Sequence, residues 1–247
     1  GGHKALVQRD VVRLVTAGTI TEDNLLKSRA NNYLAAIADI GGQIGLAWLD
    51  MSTGAFQVQP VHRKNLLSAL ERIDASEYLI AESLNERGKI EEFFAGEQKQ
   101  ITLQPKTVFD YQNAQRRLEA MFDVETLESF GAFSRAEIAA SGALLDYAQR
   151  TQVGKLPHLS RPVRIDSGKV MEIDAATRRN LEITRTISGE QAGSLLHTID
   201  LTRTGPGGRM LQSFLSAPLC DVDEIESRQD IVEALYESRP LRSHLSE

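Results

Sequence analysis

Three short apolar runs, Tyr33–Ile40, Gln43–Asp50 and Ala55–Pro60, stand out early in the chain. Gly41-Gly42 separates the first pair and Ser52-Thr53-Gly54 the second. Runs of this length, bounded by turn residues, predict an antiparallel three-stranded meander. Ahead of them, Val7–Thr16 is β-branched and partly alternating, which predicts a strand turned by Gly18. A short helix follows, with Thr21 as its cap. After the meander, Leu66, Leu67, Leu70 and Ile73 line one side of a helix over Arg63–Ile73. Glu77–Glu82 predicts a buried strand, Glu86–Phe94 a helix and Gln100–Pro105 another strand. Strands that alternate with helices after a meander predict an α/β layer on a mixed sheet.

The second half is helical in pattern. In Asp110–Asp123, Ala114, Leu118, Met121 and Phe122 form an apolar side, while Gln115, Arg116 and Arg117 are polar. Thr126–Phe133 reads as a loop. Ser134 caps a helix over Arg135–Gln152, with Ile138, Leu144, Leu145 and Tyr147 as core, and Gly154 and Pro157 break the pattern. Arg161–Ile165 and Lys169–Ile173 predict short strands around Ser167-Gly168. Three short helices follow between Val170 and Leu219. The first is capped by Asp174, with Leu181 and Ile183 on its apolar side. The second carries Leu195, Leu196 and Ile199. Gly205-Pro206-Gly207-Gly208 breaks it, and the third carries Met210, Leu211, Phe214 and Leu215 as a buried stripe ended by Pro218. From Asp221 on, Val222, Ile225, Gln229, Val232 and Tyr236 alternate spacings of three and four, a seam for another helix.

Composition fits one or two globular domains: 247 residues, 41% hydrophobic and 25% charged. No apolar run approaches the roughly 20 residues needed to cross a bilayer. The amino terminus lacks a signal-peptide core, and Gly1-Gly2-His3 reads as either a tag remnant or natural sequence. A lone cysteine, Cys220, excludes an intrachain disulfide and reads as a small buried side chain in a cytoplasmic protein. The net charge of −6 lacks the basic footprint of an autonomous nucleic-acid binder. Weak or absent DNA binding by this chain alone is the expectation, because phosphate contacts supply most non-specific affinity.

Candidate chemistry is sparse. The order of strands and helices resembles the RNase H-like fold, whose nucleases hold two metals between carboxylates. Asp50 ends one strand and Glu82 another, with Asp110 or Asp146 as a third carboxylate. The competing reading makes Asp50 a hairpin cap and Glu82 a solvated side chain. Gly205–Arg209 opens a helix, but the phosphate-loop pattern G-x-x-x-x-G-K-[ST] is absent, so a structural turn is expected. His3, His62, His158, His197 and His244 are scattered, with no ligand spacing that predicts a metal site.

Several separated motifs occur in one order: RDVVRLVTAGTIT, NNYLAAI, LDMSTGAF, LLDYAQRTQ with LPHL, DAATRRNLEIT, GSLL and GGRML. Together they resemble the MutS family of DNA mismatch-repair proteins. The resemblance implies three parts: residues 1–28 as the tail of the mismatch-reading domain and a linker, 29–160 as an RNase H-like α/β connector, and 161–247 as the incomplete start of an α-helical core. It implies a DNA-binding, ATP-binding homodimer that recognises mismatched DNA and uses ATP with magnesium. Neither the Walker pattern nor a Phe-x-Glu mismatch reader occurs here, so the chain reads as an excised, non-catalytic piece that holds no cofactor. Its own implied role is to pass signals between domains and to dock MutL. Gln115, Arg116, Arg117 and Glu119 are the candidate docking residues, against a merely solvated face. Arg178 and Arg179 fall within DAATRRNLEIT and read as solvated or bridging between domains, or else as a phosphate contact.

Overall fold

The computed structural model describes residues 15–19, 31–85, 100–152, 158–166 and 168–244. Most of the expected first strand, the helix at Thr21, the helix Glu86–Phe94, Gly154 and Pro157 lie outside them. The meander forms as β1 (Tyr33–Ile40), β2 (Gln43–Asp50) and β3 (Phe56–Val61). Gly41 and Gly42 both carry positive φ in the first turn, a conformation glycine adopts without strain. β4 (Glu77–Ala81) and β5 (Gln100–Gln104) add parallel strands, and β6 (Val163–Arg164) lies parallel to β3. The sheet order is β5-β4-β1-β2-β3-β6, mixed as expected.

Both faces of the sheet are covered. Leu34, Ala36 and Ala38 of β1 face a core shared with α3 (Tyr111–Phe122) and α4 (Arg135–Thr151). Ala35 and Ile37, the alternate positions, face α1 (Leu66–Ile73). A strand covered on both faces buries consecutive apolar residues, which explains the unbroken run LAAIA over residues 34–38. Ser134 and Glu137 form a reciprocal capping box at the start of α4.

Several expected elements change. Residues 63–65 form a 3₁₀ turn before α1. Glu82 leaves the strand and starts the single turn α2 (Glu82–Asn85). The Thr126–Phe133 loop contains a 3₁₀ turn at Leu127–Phe130. The strand expected over Lys169–Ile173 reduces to one antiparallel bridge, Val170 to Leu219, flanked by bonds from the Met171 N–H to the Pro218 carbonyl and from the Cys220 N–H to the Lys169 carbonyl.

Beyond β6 come α5 (Ala175–Asn180), α6 (Leu195–Ile199), α7 (Gly205–Ser216), α8 (Val222–Glu237) and α9 (Arg239–His244). Asp174, Ser194, Thr204 and Asp221 cap the first four of these through their side chains. Leu181 falls just after α5 and is exposed, while Ile183 is buried beyond the helix. In α6 only Leu196 is buried. The glycine-rich run forms the first turn of α7, with Pro206 where a missing N–H costs nothing. The expected stripe on α7 is half-buried at best, and Met210 is exposed. α8 buries no residue, and Tyr236 is 80% exposed.

Candidate functional site

The docking candidates separate into two groups on α3. Arg117 turns inward: one Nη donates to the Gly142 carbonyl at 3.0 Å and the other pairs with Asp146 at 2.9 Å. Gln115 donates to Glu119 at 2.8 Å, one turn on. Arg116 is exposed, and only a 3.4 Å contact to the Gln112 carbonyl restrains it. The four residues therefore share a helix but not a surface role.

The carboxylates expected of a nuclease are not brought together. Asp50 pairs with Tyr33, at the start of β1. Glu82 follows β4, which runs parallel to β1 and is in register with Ile37 at Ile80. The two acids therefore sit at opposite ends of the sheet, about 20 Å apart at some 3.3 Å per residue. Paired catalytic metals stand about 4 Å apart and share their ligands. Asp50 is buried, accepting from the Ser52 N–H at 2.8 Å and its hydroxyl at 2.6 Å, the hairpin role. Asp110 caps α3 by accepting from the Asn113 N–H at 2.9 Å. Asp146 bridges Arg117 and Arg150. Among the described residues no group of three or more His, Cys, Asp or Glu could hold a metal ion. His62, His158, His197 and His244 are all exposed. Cys220 is exposed rather than buried, because the segment between α7 and α8 runs along the surface.

Sequence reasoning missed a buried carboxylate. Glu77 has no exposed surface. It accepts from the Gly18 N–H at 3.0 Å and from the hydroxyls of Thr102 and Tyr147 at 2.7 Å each. Gln152 adds a bond to the Thr19 carbonyl at 2.9 Å, and Asn32 one to Ala17 at 3.0 Å. Together they bind the segment before β1 to the sheet. Burial and the Glu77 carboxylate push the Tyr147 hydroxyl up to about 12. Glu77 opens an apolar strand where a polar residue reads as an end signal, and nothing local points to its distant partners.

The joint between the sheet and the later helices is polar. Arg179 pairs with Glu71 of α1 at 3.0 Å, Arg185 with Asp74 at 3.5 Å, and Asn65 donates to Glu172 at 2.6 Å. Buried Arg178 donates to the Ser216 carbonyl at 2.9 Å. Of the readings offered for Arg178 and Arg179, the geometry supports bridging for Arg179, whereas Arg178 is buried and bonded within the later helices. Between β2, β3 and α7 opens a cleft of about 680 Å³ lined by Tyr33, Trp48, Gln57, Met210 and Phe214 among others. It is lined by apolar and polar side chains of both signs, and Arg228 stacks over Phe214 at 3.7 Å. No described helix is long and apolar enough to cross a membrane.

Comparison with known proteins agrees with the motif order. The family model for MutS domain II matches residues 32–160 and that for MutS domain III residues 176–247. The DNA mismatch repair protein MutS of Paracoccus denitrificans is 47% identical over 246 residues, covering 100% of this chain and 28% of that protein. MutS of Ruegeria sp. is 45% identical over 98% of this chain, and MutS of Rhodopseudomonas palustris 45% over 98%. The chain thus spans little more than a quarter of the length of these relatives. With the domain II match covering more than half of its residues, this chain belongs to the MutS family of DNA mismatch-repair proteins.

Proposed function

We propose that this chain is the connector and the beginning of the helical core of a mismatch-repair protein, and that it carries signals between domains without catalysis of its own. The domain division is 1–28, 29–160 and 161–247. The observation that carries this reading is the placement of the two family matches on either side of a polar joint. An interface held by polar contacts resembles a transient one, for which relative movement is the default. Mismatch recognition, ATP use with magnesium and homodimer formation belong in this reading to the longer protein, acting in the cytoplasm.

The same reading gives the α/β part a docking role toward MutL. Arg116 is the residue of α3 that a partner's carboxylate would meet, since Arg117 is committed to Asp146 and Gln115 to Glu119. Titration of the folded chain with MutL tests this. Arg116→Glu is expected to weaken binding several-fold while leaving stability within about 0.5 kcal/mol, as exposed substitutions do. Arg117→Ala is expected to cost about 1 kcal/mol in urea unfolding through its lost hydrogen bonds, with binding intact. Wild-type affinity in Arg116→Glu would remove α3 as the docking surface. No binding by the folded wild-type chain would remove the docking role itself.

A further inference from the structure

The turn at Ala17–Thr19 is gripped by its main chain. It is a single 3₁₀ turn, and the Thr19 hydroxyl oxygen stands 2.9 Å from both the Thr16 nitrogen and the Thr16 hydroxyl. Glu77 of β4 accepts from the Gly18 N–H at 3.0 Å. Asn32 donates to the Ala17 carbonyl at 3.0 Å, and Gln152, at the end of α4, to the Thr19 carbonyl at 2.9 Å. All three read backbone groups. A Cβ at Gly18 would run into Leu34 and Glu77, so the seat requires glycine there.

The seat stands without the segment that fills it. Glu77 keeps the hydroxyls of Thr102 and Tyr147 at 2.7 Å each. Asn32 accepts from the Ser76 hydroxyl at 2.6 Å. The Gln152 N–H donates to the Ala148 carbonyl at 2.9 Å. If Val15–Thr19 lifted away, the freed groups on both sides would bond to water and none would be stranded.

The segment also buries little. Val15 is 49% exposed, Thr16 and Ala17 are half-buried, and Gly18 and Thr19 are covered. The apolar core lies in the sheet and its helices. Parts with few apolar contacts open first. Seating also meets an opposing term. Gly18 lies on the Glu77 carboxylate, which has no exposed surface and no cation bonded to it among the described residues. Keeping such a charge from water is costly, and its three donors offset that cost. Lifting returns water to it.

We propose that Val15–Thr19 is a releasable strap, which moves between its seat on Glu77, Asn32 and Gln152 and a lifted state in which the sheet stays folded. Seated, it ties the segment ahead of β1 to β4 and α4; lifted, it does not. The inference does not rest on the signalling reading, which would survive a strap that never lifts.

Native-state hydrogen exchange of the whole chain, read by NMR over a series of low urea concentrations, tests it. The Gly18 amide is expected to exchange roughly tenfold or more faster than the amides of β1 and β4. Its rate should be indifferent to urea, because lifting exposes little surface, whereas the sheet amides should speed up with urea. Gln152→Ala should speed Gly18 exchange several-fold through the lost hydrogen bond, still without urea dependence. Gly18→Ala, which cannot seat, should keep the sheet amides protected and leave the amide at position 18 unprotected. A Gly18 amide as slow as β1, with the same urea dependence, would overturn the strap. So would a Gly18→Ala chain that loses its folded sheet, since lifting leaves the sheet intact, or one still protected at position 18.

Discussion

Glu77 shows how one residue sets the path of a segment. A carboxylate without solvent is tolerated only where donors surround it. Here the donors come from the segment before β1, from β5 and from α4, so the acid fixes three parts of the chain at one point. Gly18 fits because a Cβ there would stand 2.8 Å from Leu34 and 2.9 Å from Glu77. Tyr147 gives this cluster a pH signature. Its hydroxyl is raised from the ordinary 10.0 to about 12, so between those values the unfolded chain ionises first and the folded chain keeps its proton. Stability must then fall as pH rises through that window. Tyr147→Phe is expected to remove this part of the alkaline decline and to cost stability near neutral pH, where Glu77 loses a donor. Urea unfolding from pH 9 to 11.5, with tyrosinate absorbance, checks both effects. An identical alkaline slope in the variant would refute the assignment.

Among the elements, α4 makes the closest approaches. A Cβ on Gly45 of β2 would lie 2.3 Å from the backbone of Ala136, and one on Gly142 would lie 2.3 Å from the Ala114 Cβ. Two glycines thus let α4 touch the sheet on one side and α3 on another. Gly142→Ala pits two effects against each other. Alanine in place of a helical glycine gains up to about 1 kcal/mol. Forcing two packed helices apart costs about 1–3 kcal/mol. Since the nearest atoms belong to the Ala114 backbone and Cβ, which cannot swing away, the clash should win. A lowered Tm is the expected outcome, and an unchanged or raised one would show that α3 shifts freely. The docking candidates belong to this scale too, because the α3–α4 contact turns Arg117 inward and leaves Arg116 out.

Over the whole molecule, stability is unevenly distributed. The sheet and its two helical covers hold nearly all of the buried apolar residues, whereas α8 buries none. Local opening is easiest where few apolar contacts resist it. Hydrogen exchange should find the amides of β1, β2, β4 and α4 slowest and those of α8 fastest. Equal protection of α8 and β1 would mean that the apolar face of α8 is covered in solution.

Much of this was readable in one dimension. The meander, the strands β4 and β5, α3, α4 and the capping residues Ser134 and Asp174 follow from local period and turn chemistry, which act between near neighbours in sequence. The family was equally legible, because short motifs keep their order whatever the fold does with them. Only the tertiary structure decided the rest. It placed Asp50 and Glu82 at opposite ends of the sheet, since strand direction is a property of pairing and not of sequence spacing. It left the α7 stripe half-buried and α8 bare, since a period marks an apolar face but not what covers it. It buried Glu77 and Arg178, whose neighbours lie 59, 70 and 38 residues away, because the donors and acceptors that make such burial tolerable meet only when the chain has folded.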